Sequence, residues 1–342
     1  MPAIPQTAPY PVFQGNDVIE FVKREVPEPQ SGQLLVACKA NALCASDLGQ
    51  YHGGSAIAPG HEAAGIVVSV GQNTSVPVGT PGVIFLMDFC GTCRNCKLGV
   101  TNQCKSKRAD YGFSCDGGYG PYALVNENVF LPVDNDLPLD EATLLLDVMG
   151  TGGHAVFRAN NAHLDPQSLL ITGAGPIGLG VLAMAKLILG HDFPVLITDM
   201  VPFRLDIAES LGGLPVNISE NSLSDGLDDH GYQTVDLAID SSGVTSARRA
   251  ALDKLDQRGV QVCVGHGGAL PLEVSPDLIS TERTILGSEY FRFDELAANL
   301  ELLTNNREFL GRIITHRYPI EELNQAYETF IGKDSGKVIA VQ

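Results

Sequence analysis

The sequence predicts an α/β chain of two domains, a β-rich irregular domain followed by a doubly wound parallel sheet. Three observations carry that expectation. At 342 residues the chain exceeds what one compact core normally holds. From residue 169 onward, short apolar strands alternate with helical stretches and no hairpin signal intervenes. Residues 1 to about 140 are instead rich in Pro, Gly and short strand-like runs, such as Leu34 to Lys39 and Ala64 to Val70, which read as barrel-like.

Within the first domain, Cys90, Cys93, Cys96 and Cys104 are spaced C-x2-C-x2-C-x7-C. Four thiolates held that close by chain geometry enclose one tetrahedral ion and leave no open coordination position, so the expected role is a structural zinc that orders the loop from Phe89 to Lys105. The other cysteines, Cys38, Cys44, Cys115 and Cys263, are scattered, and the N-terminal MPAIPQTAPYPVFQ lacks the basic and then apolar pattern of a secretory signal. A reducing cytoplasm is the expected location.

A helix is expected from about Asp140 to Ala159, leading to the apolar segment Leu169 to Leu189. That segment has bilayer-spanning length but reads as strand, turn and helix, because Gly173, Gly175 and Gly178 follow the run LLIT and precede a helix with Lys186 inside it. This is a phosphate-binding βα turn: one glycine permits the tight turn, one admits a pyrophosphate to the backbone, and one lets helix pack on strand. The helix start, with Pro176 and Ile177, offers free N–H groups to an anion. The next strand, Pro194 to Thr198, ends in Asp199, twenty-one residues beyond Gly178, where a carboxylate accepts ribose hydroxyls and repels a 2′-phosphate. NAD is therefore favoured over NADP, with Arg204 five residues further on as a competing phosphate contact. Further strands are expected at Thr234 to Ile239, Gly259 to Val264 and Thr284 to Gly287.

The formal charge of −18, from 40 acidic against 22 basic residues, opposes binding to nucleic acid or anionic membrane. A small molecule is the expected partner.

A second candidate metal set comprises Cys44 in Cys44-Ala45-Ser46-Asp47, His61 in Gly60-His61-Glu62, and Asp147. Three ligands of mixed S, N and O type would leave a fourth zinc position open. Read singly, each has a plainer role: a buried thiol, a hydrogen-bonded loop histidine, a helix-face carboxylate.

The ordered set GHE at Gly60 to Glu62, the four-cysteine lobe, GGYGPY at Gly117 to Tyr122, GAGPIG at Gly173 to Gly178, VDLAIDSSG at Val235 to Gly243 and GKVIAVQ at Gly336 to Gln342 resembles the zinc-dependent medium-chain alcohol and polyol dehydrogenases along nearly the whole chain. The resemblance implies a GroES-like catalytic domain over residues 1–150, completed by 290–342, and a Rossmann domain over 151–289. It implies two zinc ions per subunit and NAD(H), with Cys44, His61 and Asp147 on the catalytic zinc, Glu62 as an alternating or water-mediated ligand, and Ser241 and Gly265 beside the cofactor. It further implies hydride transfer between a secondary alcohol or polyol and the nicotinamide, with Ser46 taking the substrate proton, in a homodimer or homotetramer.

Two positions depart from the family pattern. Asp147 stands where relatives often carry Cys or Glu, and Gly49 stands where many carry a relay histidine, leaving His52 as a substitute or a surface residue. Tyr290 and Arg292 belong either to the substrate pocket or to a subunit interface, and Leu43, Val148 and Met149 are expected to form an apolar pocket wall. That wall would suit a simple secondary alcohol or cyclic ketone, while the Asp147 pattern is shared with some formaldehyde dehydrogenases. A zinc-independent enoyl or quinone reductase would lack both metal sets, and a non-catalytic zinc protein would have an incomplete second set.

Overall fold

The structure is a computed structural model that describes residues 3–342. The chain forms two compact units. The first holds the chain up to Leu146 together with Arg292–Arg307 and Ile314–Gln342; the second holds Asp147–Phe291 and Glu308–Ile313. The division falls a few residues from the expected 150/151 and 289/290, and a short C-terminal piece joins the second unit.

The first unit opens with an antiparallel hairpin, Thr7–Gly15 on Val18–Glu25. Its two-residue turn has left-handed φ at both Asn16 (51°) and Asp17 (65°), the turn whose twist matches a hairpin. A seven-stranded sheet follows, running Ile314–Pro319, Lys337–Val341, Gln33–Ala42, Ala63–Val70, Pro81–Ile84 and Phe130–Pro132, with Tyr122–Asn126 also on Gln33–Ala42. The last strand thus returns to the interior of the sheet, second from one edge, with Ile339 opposite Ala42 and Val341 opposite Ala40. Behind it lies a core of Phe13, Leu43, Tyr51, Tyr119, Leu323 and Tyr327.

The second unit is a six-stranded parallel sheet in the order Leu214–Asn217, Val195–Asp199, Leu169–Thr172, Val235–Asp240, Leu255–Cys263, Thr284–Gly287. Strand order reverses at Leu169–Thr172, the switch point where nucleotides bind in such sheets. The apolar run from Leu169 resolves into a four-residue strand, the glycine turn and a 13-residue helix, Pro176–Ile188. Among the described residues no helix is long and apolar enough to cross a membrane. Lys186, inside that helix, is buried and donates from Nζ to the carbonyls of His191 (3.1 Å) and Phe193 (2.8 Å).

The single helix expected from Asp140 to Ala159 is broken. A turn of α-helix, Leu139–Ala142, tightens into a 3-10 turn, Thr143–Leu145, and the backbone leaves helical space at Leu146 (ψ −109°). A π turn, Asp147–Thr151, then leads into Gly152–Ala162. The glycines explain what the wide turn packs against: a Cβ on Gly180 would lie 2.2 Å from the Val148 carbonyl oxygen, and one on Gly150 would lie 2.4 Å from the Phe291 ring.

That close approach yields a test. Gly180→Ala gains up to about 1 kcal/mol in helix propensity, but its methyl meets rigid backbone, so a net loss of about 1–3 kcal/mol is expected. Calorimetry should show a lowered Tm; a raised Tm would mean the two segments separate without cost.

Candidate active site

The four cysteines of the lobe converge. Their sulfurs all lie within 4.8 Å of one another, with Cys93 to Cys96 at 3.5 Å, Cys90 to Cys96 at 3.9 Å and Cys93 to Cys104 at 3.9 Å. A tetrahedron with metal–sulfur bonds of about 2.3 Å has edges of about 3.8 Å, so the set fits zinc. The Thr92 hydroxyl, then the N–H groups of Thr92 and Cys93, hold the Cys90 thiol down to about 5, which favours the thiolate. Behind the lobe the buried Asp88 accepts from Arg108 Nε (3.0 Å), and Arg108 also donates to the Phe89 carbonyl (3.1 Å). Phe293 N–H donates to Thr101 Oγ1 at 2.8 Å, tying the returning chain to the lobe.

A second group gathers Cys44, His61, Glu62 and Asp147, again with one ligand atom from each inside 4.8 Å of the rest. Cys44 follows the strand Gln33–Ala42, His61 and Glu62 precede the strand Ala63–Val70, and Asp147 opens the π turn. His61, Glu62 and Asp147 are buried. His61 Nδ1 lies 2.9 Å from Oδ1 of the fully buried Asp47. A carboxylate partner there selects the Nδ1–H tautomer and leaves the Nε2 lone pair for a metal. Thr151 Oγ1 donates to Asp147 Oδ1 at 3.4 Å. Glu62 Oε1 accepts from Lys337 Nζ, and both residues are wholly buried. A mixed S, N and O set with oriented ligands and a compensated glutamate is chemically suited to zinc.

Ser46 sits beside this group, its Oγ 3.2 Å from Cys44 Sγ and 3.4 Å from His61 Nε2. His52 Nδ1 is instead engaged by Asp17 on the hairpin turn, and both side chains are more than half exposed. Leu43, Val148 and Met149 are fully buried, Leu43 in the core with Phe13, Tyr51 and the C-terminal helix residues Leu323 and Tyr327, while the Val148 backbone packs against Gly180. Tyr290 is buried with its ring centroid 4.2 Å from that of Phe291, and Arg292 pairs with Glu295 (3.1 Å) and Asp294 (3.4 Å) at the start of the helix Glu295–Asn305.

Five contributors escaped sequence reasoning: Asp47, Lys337, the tyrosines Tyr119 and Tyr327, and Phe113. Tyr119 and Tyr327 hydroxyls reach Asp47 Oδ2 at 3.2 and 3.5 Å. Phe113, partly exposed, has its ring centroid 4.9 Å from that of His61. Asp47 and Lys337 lie within quoted motifs, yet their pairing with His61 and Glu62 has no linear signal.

In the second unit, Gly173 has φ +94°, and a Cβ on Gly178 would lie 1.8 Å from the Gly173 carbonyl oxygen, so both glycines are required by the turn. Above Gly175 there is room: the nearest atom to a Cβ there is Arg204 NH1 at 3.9 Å. Gly175 caps the helix, Pro176 and Ile177 begin it, and the N-terminal N–H groups are presented to that space. The Asp199 carboxylate accepts from the N–H groups of Ala174 (2.7 Å), Met200 (2.7 Å) and Val201 (3.0 Å), which fixes its charge at the strand end. Ser241 Oγ donates to the carbonyls of Thr172 and Gly173, both at 3.0 Å. Gly265 is needed because a Cβ would meet Gly243 N at 2.4 Å. Buried Asp240 and Arg248 stitch these turns together: Asp240 accepts from Thr172 Oγ1 (2.8 Å), Ser242 N (3.0 Å) and Arg248 Nε (2.6 Å), and Arg248 donates to the Gly265 and Gly268 carbonyls.

Metal analysis discriminates the two sets. Cys104→Ser and Asp147→Ala should each lower bound zinc from two ions to one per chain; two undiminished ions in Asp147→Ala would remove that residue from the ligand set.

Residues 30–135 match the family described as the alcohol dehydrogenase GroES-like domain, and residues 151–340 match the glucose dehydrogenase C-terminus. An uncharacterized zinc-type alcohol dehydrogenase-like protein of Escherichia coli is 29% identical, over 95% of this chain and 96% of its own. An L-threonine 3-dehydrogenase of Shewanella oneidensis is 29% identical over 92% of this chain and 94% of its own. Among solved structures, an E. coli alcohol dehydrogenase complexed with NADH superposes with a TM-score of 0.89 at 21% identity, covering 99% of this chain and 100% of that one. Both halves of the sequence, the two folds and the two metal-type clusters agree: the chain belongs to the zinc-dependent medium-chain dehydrogenase family.

Proposed function

We propose that the chain is an NAD-dependent oxidoreductase that moves a hydride between a secondary alcohol or polyol-type substrate and the nicotinamide, with one zinc ion in the cysteine lobe and one held by Cys44, His61 and Asp147, Glu62 being within reach. The observation that carries the reading is the S, N and O ligand group, half-buried at Cys44 and buried at His61, Glu62 and Asp147, with its oriented histidine. When bound there, zinc supplies a Lewis acid that polarises the substrate oxygen.

The chain's own residues do the rest. Asp47 keeps the proton of His61 on Nδ1, so Nε2 stays directed at the ligand group. Ser46 Oγ, next to both Cys44 and His61, receives the substrate hydroxyl proton, as its exposed position allows it to pass that proton outward. Lys337 balances the Glu62 charge. The turn at Gly173, Gly175 and Gly178 receives the pyrophosphate, with Arg204 beside it, and Asp199 receives the adenosine ribose. The Ser241 and Gly265 turns border the nicotinamide half. A relative named for the 3-position of L-threonine, a secondary carbinol, supports a hydroxylated substrate.

A panel following reduced-cofactor absorbance with zinc-loaded protein tests this, using polyols, sugar acids, simple secondary alcohols and thiol adducts of formaldehyde. Turnover with NAD and hydroxylated secondary alcohols is expected; no hydride transfer with zinc and NAD both bound would overturn the reading. Asp199→Ala should reduce the preference for NAD over NADP by roughly a hundredfold, equivalent to about 2.7 kcal/mol of removed like-charge repulsion. An unchanged ratio would place the discrimination elsewhere.

The same reading includes a homodimer or homotetramer. Thr284–Gly287 ends the six-stranded sheet, and apolar Leu272, Val274 and Ile279 nearby in sequence are exposed. An open strand edge of this kind is a template for pairing with a second copy. Sedimentation at micromolar concentration should show a species larger than the monomer, and a monomer would refute the assignment.

A further inference from the structure

Resting on the reading of Cys44, His61, Glu62 and Asp147 as a metal centre, we propose that Tyr119 and Tyr327 are positioning residues for it: their hydroxyls hold Asp47, and Asp47 holds the imidazole of His61. Asp47 is fully buried. Its Oδ1 lies 2.9 Å from His61 Nδ1, while its Oδ2 accepts from Tyr119 at 3.2 Å and faces Tyr327 at 3.5 Å. The two hydroxyls are themselves 3.2 Å apart. Tyr119 therefore donates directly, and the single Tyr327 proton is shared between the Tyr119 oxygen and the carboxylate.

Both phenol donors are neutral. They satisfy the buried carboxylate without cancelling its charge, so the charge remains available to the Nδ1–H of His61. With Oδ2 occupied from the far side, the carboxylate cannot turn away from the imidazole, and Nε2 keeps its aim. The rings fix the hydroxyls in turn. Tyr327 stacks on Tyr51 with centroids 4.5 Å apart, and Phe13 packs on both Tyr119 (6.1 Å) and Tyr327 (5.6 Å). Burial, together with the neighbouring charge of Asp47, holds both phenols well above the usual tyrosine range, so they remain protonated donors. Phenylalanine would fill the same core volume; only the hydroxyls reach Asp47.

The test follows zinc transfer from the zinc-loaded full-length protein to a chromogenic chelator. Wild type should release two ions in two phases, and Cys104→Ser identifies the phase of the lobe. Outer partners of metal ligands carry about 10- to 100-fold in metal affinity, so Tyr119→Phe, and more so the Tyr119→Phe/Tyr327→Phe pair, should speed the other phase about tenfold while leaving the lobe phase unchanged. In an Asp47→Asn background, the same tyrosine changes should add nothing, because their effect runs through the carboxylate. A purely structural role predicts a lowered Tm with both phases unaltered, which would overturn the proposal, as would full additivity with Asp47→Asn. A single ion in wild type would instead reject the metal centre itself, and this inference with it.

Discussion

The pairing of the C-terminal strand Lys337–Val341 with Gln33–Ala42 is the constraint on which the candidate site of the first unit depends. That register carries Lys337 onto Glu62 and, through the preceding helix Leu323–Ile331, Tyr327 onto Asp47. Both acidic residues are wholly buried, and a buried carboxylate stripped of its partners is costly, about 3–5 kcal/mol for a broken ion pair. The last thirty residues are therefore part of the chemistry of residues 44–62, despite a separation of nearly 300 positions. A chain lacking them would take Lys337 from Glu62 and one of its two phenol donors from Asp47.

In the second unit the equivalent organising contact is Asp240 with Arg248. Their hydrogen bonds join the ends of three neighbouring strands, Leu169–Thr172, Val235–Asp240 and Leu255–Cys263, at the edge where the glycine turn lies. The glycines there are forced by backbone meeting backbone: Gly173 with Gly178, and Gly243 with Gly265. Packing thus produces the open space above Gly175, and the fixed Asp199 carboxylate places negative charge beside it.

The break in the expected helix between Asp140 and Ala159 has a functional consequence. A continuous α-helix would have set residue 147 by the 3.6-residue period of its neighbours. The 3-10 and π turns instead reset the phase at Leu146, and π turns recur where a side chain must be re-aimed. Asp147 begins the π turn and reaches the ligand group, while Val148 and Met149 turn into the core.

The sequence by itself determined what local spacing can encode. The cysteine lobe closes within fifteen residues, the glycine turn is read from strand, glycines and helix in succession, and Asp199 follows at the next strand end. The parallel sheet follows from alternating apolar runs, whose order along the chain is also their chemistry. Tertiary structure decided what depends on distant partners. The Asp47 role requires tyrosines 72 and 280 positions away, and the Glu62 charge is met by a lysine 275 positions away. The burial of Leu43, Val148 and Met149, and the ion pairs of Arg292, are likewise packing outcomes. Periodicity specifies which face of an element is apolar, but a polar side chain's partner is chosen by where the folded chain brings another one, and that has no period to read.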